Sequence, residues 1–498
     1  MLSIPIPVRF DEISFQIEAP ASLHPSVEAA VRSMLPNARF GEGRLLRVSV
    51  SHEPKEPIGC EVVLECGPTW QIEDGEILRE VYGPGDRTQR VKERVRLGVL
   101  KVISSAYDLP MSPWGILTGV RPTKLIHNLL DRGLTHGEIR ELLLTVYAVS
   151  PERVELVQKV ANWQRRFFHS SPNQPVGVYI GIPFCPTRCT YCSFAAYPIG
   201  THGHLMRGFH EALSFEIEAI GRLLKRLGVA VESVYVGGGT PTTFQGEELT
   251  ALLALAREWF VSPSTVEFTV EAGRPETITP ETSEILAEMG VNRVSVNPQT
   301  MHDATLKRVG RAHTAEDTRR AVELVRRAGI PVVNMDIILG LPGEGLADVE
   351  ATLEAIGELR PENLTVHSLA MKRASELRKN IQDSAIAQEQ GEAMAHAAAR
   401  SAQAWGLNPY YLYRQRYILS DLENIGYARP HTASVYNVQM MEERQTIISL
   451  GGGGITKLVS PDLRLVRLAN PKCPATYAQQ LRTVLPAKLW HIHEHFAV

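Results

Sequence analysis

Long apolar runs are absent from this chain: no uninterrupted hydrophobic stretch approaches the roughly 18 residues that a membrane-spanning helix requires. Residues 1–9 also lack a basic stretch followed by an apolar core, the pattern of a secretory leader. A soluble, cytoplasmic protein is expected. Neither charge sign is in excess, since 52 Lys and Arg face 55 Asp and Glu for a formal net charge of −3. Without a basic surplus, a whole-chain electrostatic footprint for nucleic acid or an anionic membrane is not expected, while local basic sites stay open. Cysteine is scarce: six in 498 residues are too few for a disulfide scaffold. What is present, 44% hydrophobic and 21% charged residues, is an ordinary globular composition, and the length suits two or three domains that each bury a core.

The hydrophobic pattern changes twice along the chain. Residues 1–170 read as a small α+β module followed by helices: 45–51 and 61–66 alternate as short strands do, and 86–103 carries helical spacing with charges on one face. Residues 171–375 alternate β-branched apolar runs with amphipathic stretches. Strands are predicted at 176–182, 233–236, 265–271, 293–296, 332–338 and 363–369, with helices at 205–227, 247–259, 281–289, 315–328 and 347–359 between them. Successive βα units argue for an α/β fold with a parallel sheet covered on both faces, a partial (β/α)6 TIM-like barrel with its functional groups just after the strands. From 376 to 498 this rhythm stops. A helical segment at 382–405, an aromatic and basic stretch at 410–417 and the glycines at 451–454 suggest a C-terminal lobe that covers the barrel mouth. The closing Trp490-His491-Ile492-His493-Glu494-His495 has the composition of a weak metal site or of a solvated tail.

Half of the cysteines, Cys185, Cys189 and Cys192, fall on one short loop after the first predicted barrel strand. Such a trio suits three irons of a 4Fe-4S cluster and leaves the fourth iron open, whereas structural zinc needs four ligands and usually draws them from two separated pairs. Zinc completed by His202 or His204 is the alternative reading. Cys60, Cys66 and Cys473 lie far away in sequence and read as structural. After the second strand, Gly237-Gly238-Gly239-Thr240 leaves room for a ligand to approach the backbone. Glu271 and Asp336 stand in apolar runs, where an unpaired charge is costly, so a ligand or an ion pair is expected at each.

The CxxxCxxC spacing, with Tyr191 before the last cysteine, resembles the signature of the radical S-adenosylmethionine (SAM) superfamily. Tyr179-Ile-Gly-Ile-Pro-Phe184 ahead of it narrows the resemblance to the oxygen-independent coproporphyrinogen III oxidase family, over residues 176 to 457. The resemblance implies that Cys185, Cys189 and Cys192 hold the cluster and that its open iron chelates SAM. It implies, too, that an electron from a low-potential donor such as flavodoxin or ferredoxin releases a 5′-deoxyadenosyl radical. By position in the family's motifs, Tyr179, Tyr191, Gly238, Gly239, Thr240, Glu271, Gln299, Arg311, Asp336 and Ala370 are the expected cofactor contacts, with Ala370 on the adenine and Tyr179 also catalytic, against the cluster and SAM.

Within the family the chain departs from the well-known oxidase, having Phe194 and Gly181 where that enzyme carries Cys and His. It also lacks the H-N-x-x-Y-W haem motif of the haem-chaperone relative, reading His431-Thr-Ala-Ser-Val-Tyr436 instead. The stretch 113–124, the run Tyr436-Asn-Val-Gln-Met-Met-Glu442 and the long N-terminal module most resemble the HemZ-type coproporphyrinogen dehydrogenases. The implied reaction is oxidative decarboxylation of coproporphyrinogen III to protoporphyrinogen IX. A tetracarboxylate tetrapyrrole needs cationic partners, and Lys372, Arg373, Arg414 and Arg416 are the candidates, a solvated basic face being the alternative. A haem-binding or haem-delivery protein that retains a SAM site is the second function class. Arg121 and Lys124 leave the role of the N-terminal module open, although near-neutral charge argues against RNA.

Overall fold

The computed structural model describes residues 13–35, 37–51, 58–73, 87–117, 119, 121–169, 174–192, 194–370, 388–415 and 422–497. The chain divides into two compact units, Met1–Gln158 and Lys159–Val498. None of the described helices is long and apolar enough to cross a membrane.

The first unit is built on a five-stranded sheet in the order β2-β1-β3-β4-β5. Its strands are β1 (Ser14–Glu18), β2 (Arg39–Phe40), β3 (Arg44–Ser51), β4 (Gly59–Leu64) and β5 (Thr69–Glu73). Alternation along β4 turns Cys60, Val62 and Leu64 into the core. Helix Arg87–Tyr107 packs on that face so closely that a side-chain carbon at Gly98 would stand 2.5 Å from Val62 and 2.6 Å from Trp70. Helices Pro122–Asp131 and His136–Thr145 follow, the second started by a capping box of Thr135 and Glu138.

An eleven-stranded sheet organises the second unit. Six strands, β6 (Val176–Ile182), β9 (Val231–Gly238), β10 (Glu267–Glu271), β11 (Arg293–Ser295), β12 (Val332–Leu339) and β13 (Asn363–Ser368), pair in parallel in that order. Each is almost wholly buried, as a sheet flanked by helices requires. Helices Met206–Leu227, Gly246–Phe260, Pro280–Glu288, Ala315–Arg327 and Leu346–Leu359 return the chain between them. These elements match the predicted ones to within about two residues, and the α/β partial-barrel class holds.

The last third of the chain, where a C-terminal lobe was expected, extends this sheet at both edges. β14 (Asn408–Tyr413) and β15 (Asn424–Ala428) continue antiparallel from β13. β16 (Ile447–Gly451) crosses to the opposite edge and pairs in parallel with β6, followed by the antiparallel β17 (Ile455–Val459) and β18 (Leu465–Ala469). The C-terminal helix Pro474–Phe496 packs along Met206–Leu227. A buried carboxylate, Glu216, fastens this closure: it accepts from Gly451 N, Asn470, Tyr477 and Lys488. Trp490 to His495 lie in that helix, where Ile492 is buried and His495 Nε2 lies 3.1 Å from Thr446 Oγ1, while Trp490 and Glu494 stay exposed.

Candidate active site

β6 ends at Ile182, and the chain then makes the cysteine loop. Its two arms pair as a two-residue parallel ribbon, β7 (Phe184–Cys185) with β8 (Tyr197–Pro198). Between them Thr190 N donates to Val309 O, and Thr187 Oγ1 donates to Gly310 O. The loop is also held by Arg274, three residues beyond the end of β10. Its guanidinium donates to Thr187 O and Thr187 Oγ1, and lies 3.4 Å from Cys189 Sγ. Burial alone would raise the Glu276 carboxyl, yet His313 and Arg274 beside it overcome that and hold it down to about 2. A permanent ion pair therefore anchors the loop.

Cys185, Cys189 and Cys192 border one cavity of about 330 Å³, within the range of small-molecule sites. Among the described residues no three His, Cys, Asp or Glu side chains converge as a single metal ion demands. His202, raised as a zinc ligand, is taken up by Thr201 and the Tyr197 ring, and His204 is not in the cavity wall. One thiolate per iron of a cluster suits three separate sulfurs better. Burial pushes the Cys185 thiol up to about 11, partly offset by the Thr240 hydroxyl, so a metal that binds there displaces a proton.

The glycine turn closes over the thiols. Gly238 sits at φ +109°, and a Cβ on Gly239 would lie 2.4 Å from Phe184 O and 3.0 Å from Cys185 Sγ. Only glycine leaves that approach open. Thr240 Oγ1 reaches Cys185 Sγ at 3.6 Å. On the next strand Glu271 accepts from Tyr235 OH and from Gly238 N. Burial raises the Glu271 carboxyl to about 7, with Tyr235 opposing the shift.

Further round the wall, Gln299 adopts φ +69°, a strained conformation for a residue with a side chain, fixed by Gln299 N donating to Asp336 O and Ile338 N to Gln299 O. Among the described residues its buried Oε1 and the Oδ1 of Asn297 find no hydrogen-bond partner. Acceptors left so in a cavity wall suit the donors of an amino acid or nucleoside ligand. Arg311 donates to Tyr191 OH, Gly273 O and Asn297 O. Tyr191 packs against Val309, Ile338, Leu341 and Leu369, an apolar wall continued by Ala370. Asp336 accepts from Asn334 and lies 3.6 Å from His367 Nε2. The cradle of glycines, the orphaned acceptors and this flat apolar wall together fit SAM beside a cluster.

Of the expected cofactor contacts, all but Tyr179 border the cavity. Tyr179 lies behind the wall: its ring stacks on Tyr436 at 5.9 Å, and Tyr235, 4.3 Å beyond Tyr436, is the member of the stack that reaches the cavity. Arg414 is likewise displaced. Tyr411, Tyr413 and Gln415 turn to the cavity, and alternation buries Arg414 on the other side. Lys372, Arg373 and Arg416 lie outside the described residues. Sequence reasoning passed over Arg274, Arg293, Tyr235, Asn297, His367 and Asn437, all in the wall. Strand phase was the one available signal, since 293, 295 and 297 share a face.

Comparison with known proteins agrees with this geometry. Residues 179–356 match the model of the Radical SAM superfamily. The chain is 40% identical over 388 residues to the oxygen-independent coproporphyrinogen-III oxidase-like protein HemZ of Bacillus subtilis (strain 168), covering 77% of each. It is 26% identical to the heme chaperone HemW of Escherichia coli (strain K12), over 61% of this chain and 76% of that one. The solved coproporphyrinogen III oxidase HemN from Escherichia coli has the same fold, with a TM-score of 0.52 at 22% identity over 65% of this chain and 72% of that one. Three thiols on one loop, a glycine cradle and a long match to HemZ place this chain in the radical SAM superfamily, in its coproporphyrinogen III oxidase-like family, with a 4Fe-4S cluster and SAM as its cofactors.

Proposed function

We propose that this chain catalyses the oxygen-independent oxidative decarboxylation of coproporphyrinogen III to protoporphyrinogen IX. The observation that carries the reading is the form of the cavity. Three loop thiols, the glycine cradle and a set of polar and cationic side chains, Arg293, Ser295, Asn334 and Thr365 among them, line one and the same space. Similarity to HemZ over 77% of both chains supports it.

In this reading Cys185, Cys189 and Cys192 hold the cluster; Gly238, Gly239, Thr240, Glu271 and Arg311 receive the methionyl end of SAM, and Gln299, Asp336 and Ala370 its nucleoside. When bound and reduced by a low-potential donor, these cofactors supply a 5′-deoxyadenosyl radical able to remove a hydrogen atom. Each of two propionates then loses one β-hydrogen, carbon dioxide and one electron to an external acceptor, leaving a vinyl group. The protein's own contribution is to position and seal. Arg274 fixes the cysteine loop, Glu271 presents a carboxylate to a ligand ammonium, and the wall of Ile338, Leu369 and Ala370 excludes water from one side.

A haem-carrying role is the competing reading, favoured by the similarity to HemW. Anaerobic reconstitution with iron and sulfide, followed by SAM, dithionite and coproporphyrinogen III, separates the two. Vinyl product, lost in Cys189→Ala, is expected; 5′-deoxyadenosine without porphyrin product, together with retention of haem, would refute the decarboxylase reading.

A further inference from the structure

We infer that Arg293 forms an anion subsite at the deep end of the cavity and that it receives one carboxylate of the substrate. Arg293 opens strand β11, and its side chain is 96% buried yet borders the cavity. One arm is engaged, Nη1 donating to Thr432 O at 2.7 Å. The other, Nη2, is buried and finds no hydrogen-bond partner among the described residues. Among the described residues no carboxylate stands within ion-pair distance of it. A guanidinium in that condition carries a large desolvation cost that an anion would relieve.

Among the described residues the other cationic groups of the wall each have partners within the protein. Arg274 is paired with Glu276 and bound to the cysteine loop, Arg311 spends its terminal nitrogens on Tyr191, Gly273 and Asn297, and His367 faces Asp336. Arg293 is also set apart by depth. Arg293, Ser295 and Asn297 border the cavity in succession, and at about 3.3 Å per residue the first lies roughly 13 Å below the last. SAM in the cradle at the strand ends leaves this lower space to a second ligand. Among the described residues its remaining walls, Ser295, Asn334, Thr365 and Asn437, are neutral and hydrogen-bonding, and the Asp336 carboxylate beside them is taken up by Asn334 and His367. A flexible carboxylate arm matches that chemistry.

This inference rests on the proposal that the ligand is a tetrapyrrole polycarboxylate, and the test keeps the two apart by measuring binding as well as turnover. The reconstituted protein is titrated with coproporphyrin III and with its uncharged tetramethyl ester. The wild type is expected to prefer the acid, and Arg293→Gln to weaken acid binding about 10- to 100-fold, the span of a lost charged hydrogen bond, with ester binding unchanged. Arg293→Lys, which keeps the charge, is expected to fall between. The cluster's spectral response to SAM and the substrate-free release of 5′-deoxyadenosine stay at wild-type levels. An unchanged acid-to-ester ratio in both variants, or loss of the SAM response, overturns the assignment. Should Arg293→Gln fail to fold, Arg293→Lys decides by the same ratio. Absence of vinyl product in the wild type would refute the decarboxylase reading alone, because the acid-to-ester comparison needs no turnover.

Discussion

Glu271 is held between two demands. Burial favours its neutral form, and the hydroxyl of Tyr235 and the amide of Gly238 favour the carboxylate, leaving it at about 7 against an ordinary value near 4.5. The folded chain therefore holds this proton to higher pH than the unfolded chain does. The stability so gained is complete below about 4.5, shrinks as pH rises, and is gone above about 7. Binding of a ligand ammonium has the opposite sign, since it needs the charge. SAM affinity is expected to strengthen as pH rises through 7 and then level off, and Glu271→Gln to flatten the profile, as titration of the cluster spectrum with SAM would show. Legibility at this scale follows spacing. Cys185, Cys189 and Cys192 announce themselves because three thiols on one loop have few other uses. Arg293 does not, because a charge beside Asn292 reads as an exposed strand end until the sheet shows which way it turns. Arg414 fails for the complementary reason: an aromatic and basic stretch gives composition but not phase, and the phase buries it away from the cavity.

At the level of elements, the glycine turn after β9 and the cysteine loop after β6 interlock. Gly239 N donates to Ile182 O and Thr240 N to Phe184 O, so each loop fixes the other's height above the sheet. Gly239→Ala is expected to push the two apart. The protein should stay folded, because the strain falls on loops and not on the core, while iron content after reconstitution falls severalfold; normal iron content would contradict this. The barrel strands were readable because buried parallel strands leave continuous apolar runs, each followed by an amphipathic helix. β16 left no such mark. Its five buried residues resemble any short apolar segment, and its partner, β6, lies about 270 residues earlier in the chain. Pairing between distant segments has no local signature, so the continuation of the sheet through β14 to β18 could not be read from the sequence.

For the second unit as a whole, stability depends on how its C-terminal end is tied back. Glu216 is fully buried, and Lys488 Nζ, 2.8 Å away, is the charge that answers it. Lys488→Met would leave a buried carboxylate with neutral partners only, a change that typically costs about 3–5 kcal/mol. A clear drop in melting temperature is expected, larger than for Arg207→Ala, whose ion pair with Glu211 is exposed. Equal losses in the two variants would show that the helix Pro474–Phe496 is held by its apolar face instead.

The pairing of β6 with β16 also has a consequence in time. β6 leaves the ribosome long before β16 does, and at about 5–20 residues per second the interval runs to roughly tens of seconds. Throughout it, one edge of the strand that leads into the cysteine loop has unpaired amides and carbonyls. Gly452 N, which bonds Gly181 O at the base of that loop, arrives only with the last tenth of the chain. The loop that carries the thiols thus reaches its final setting only once β16 has been made.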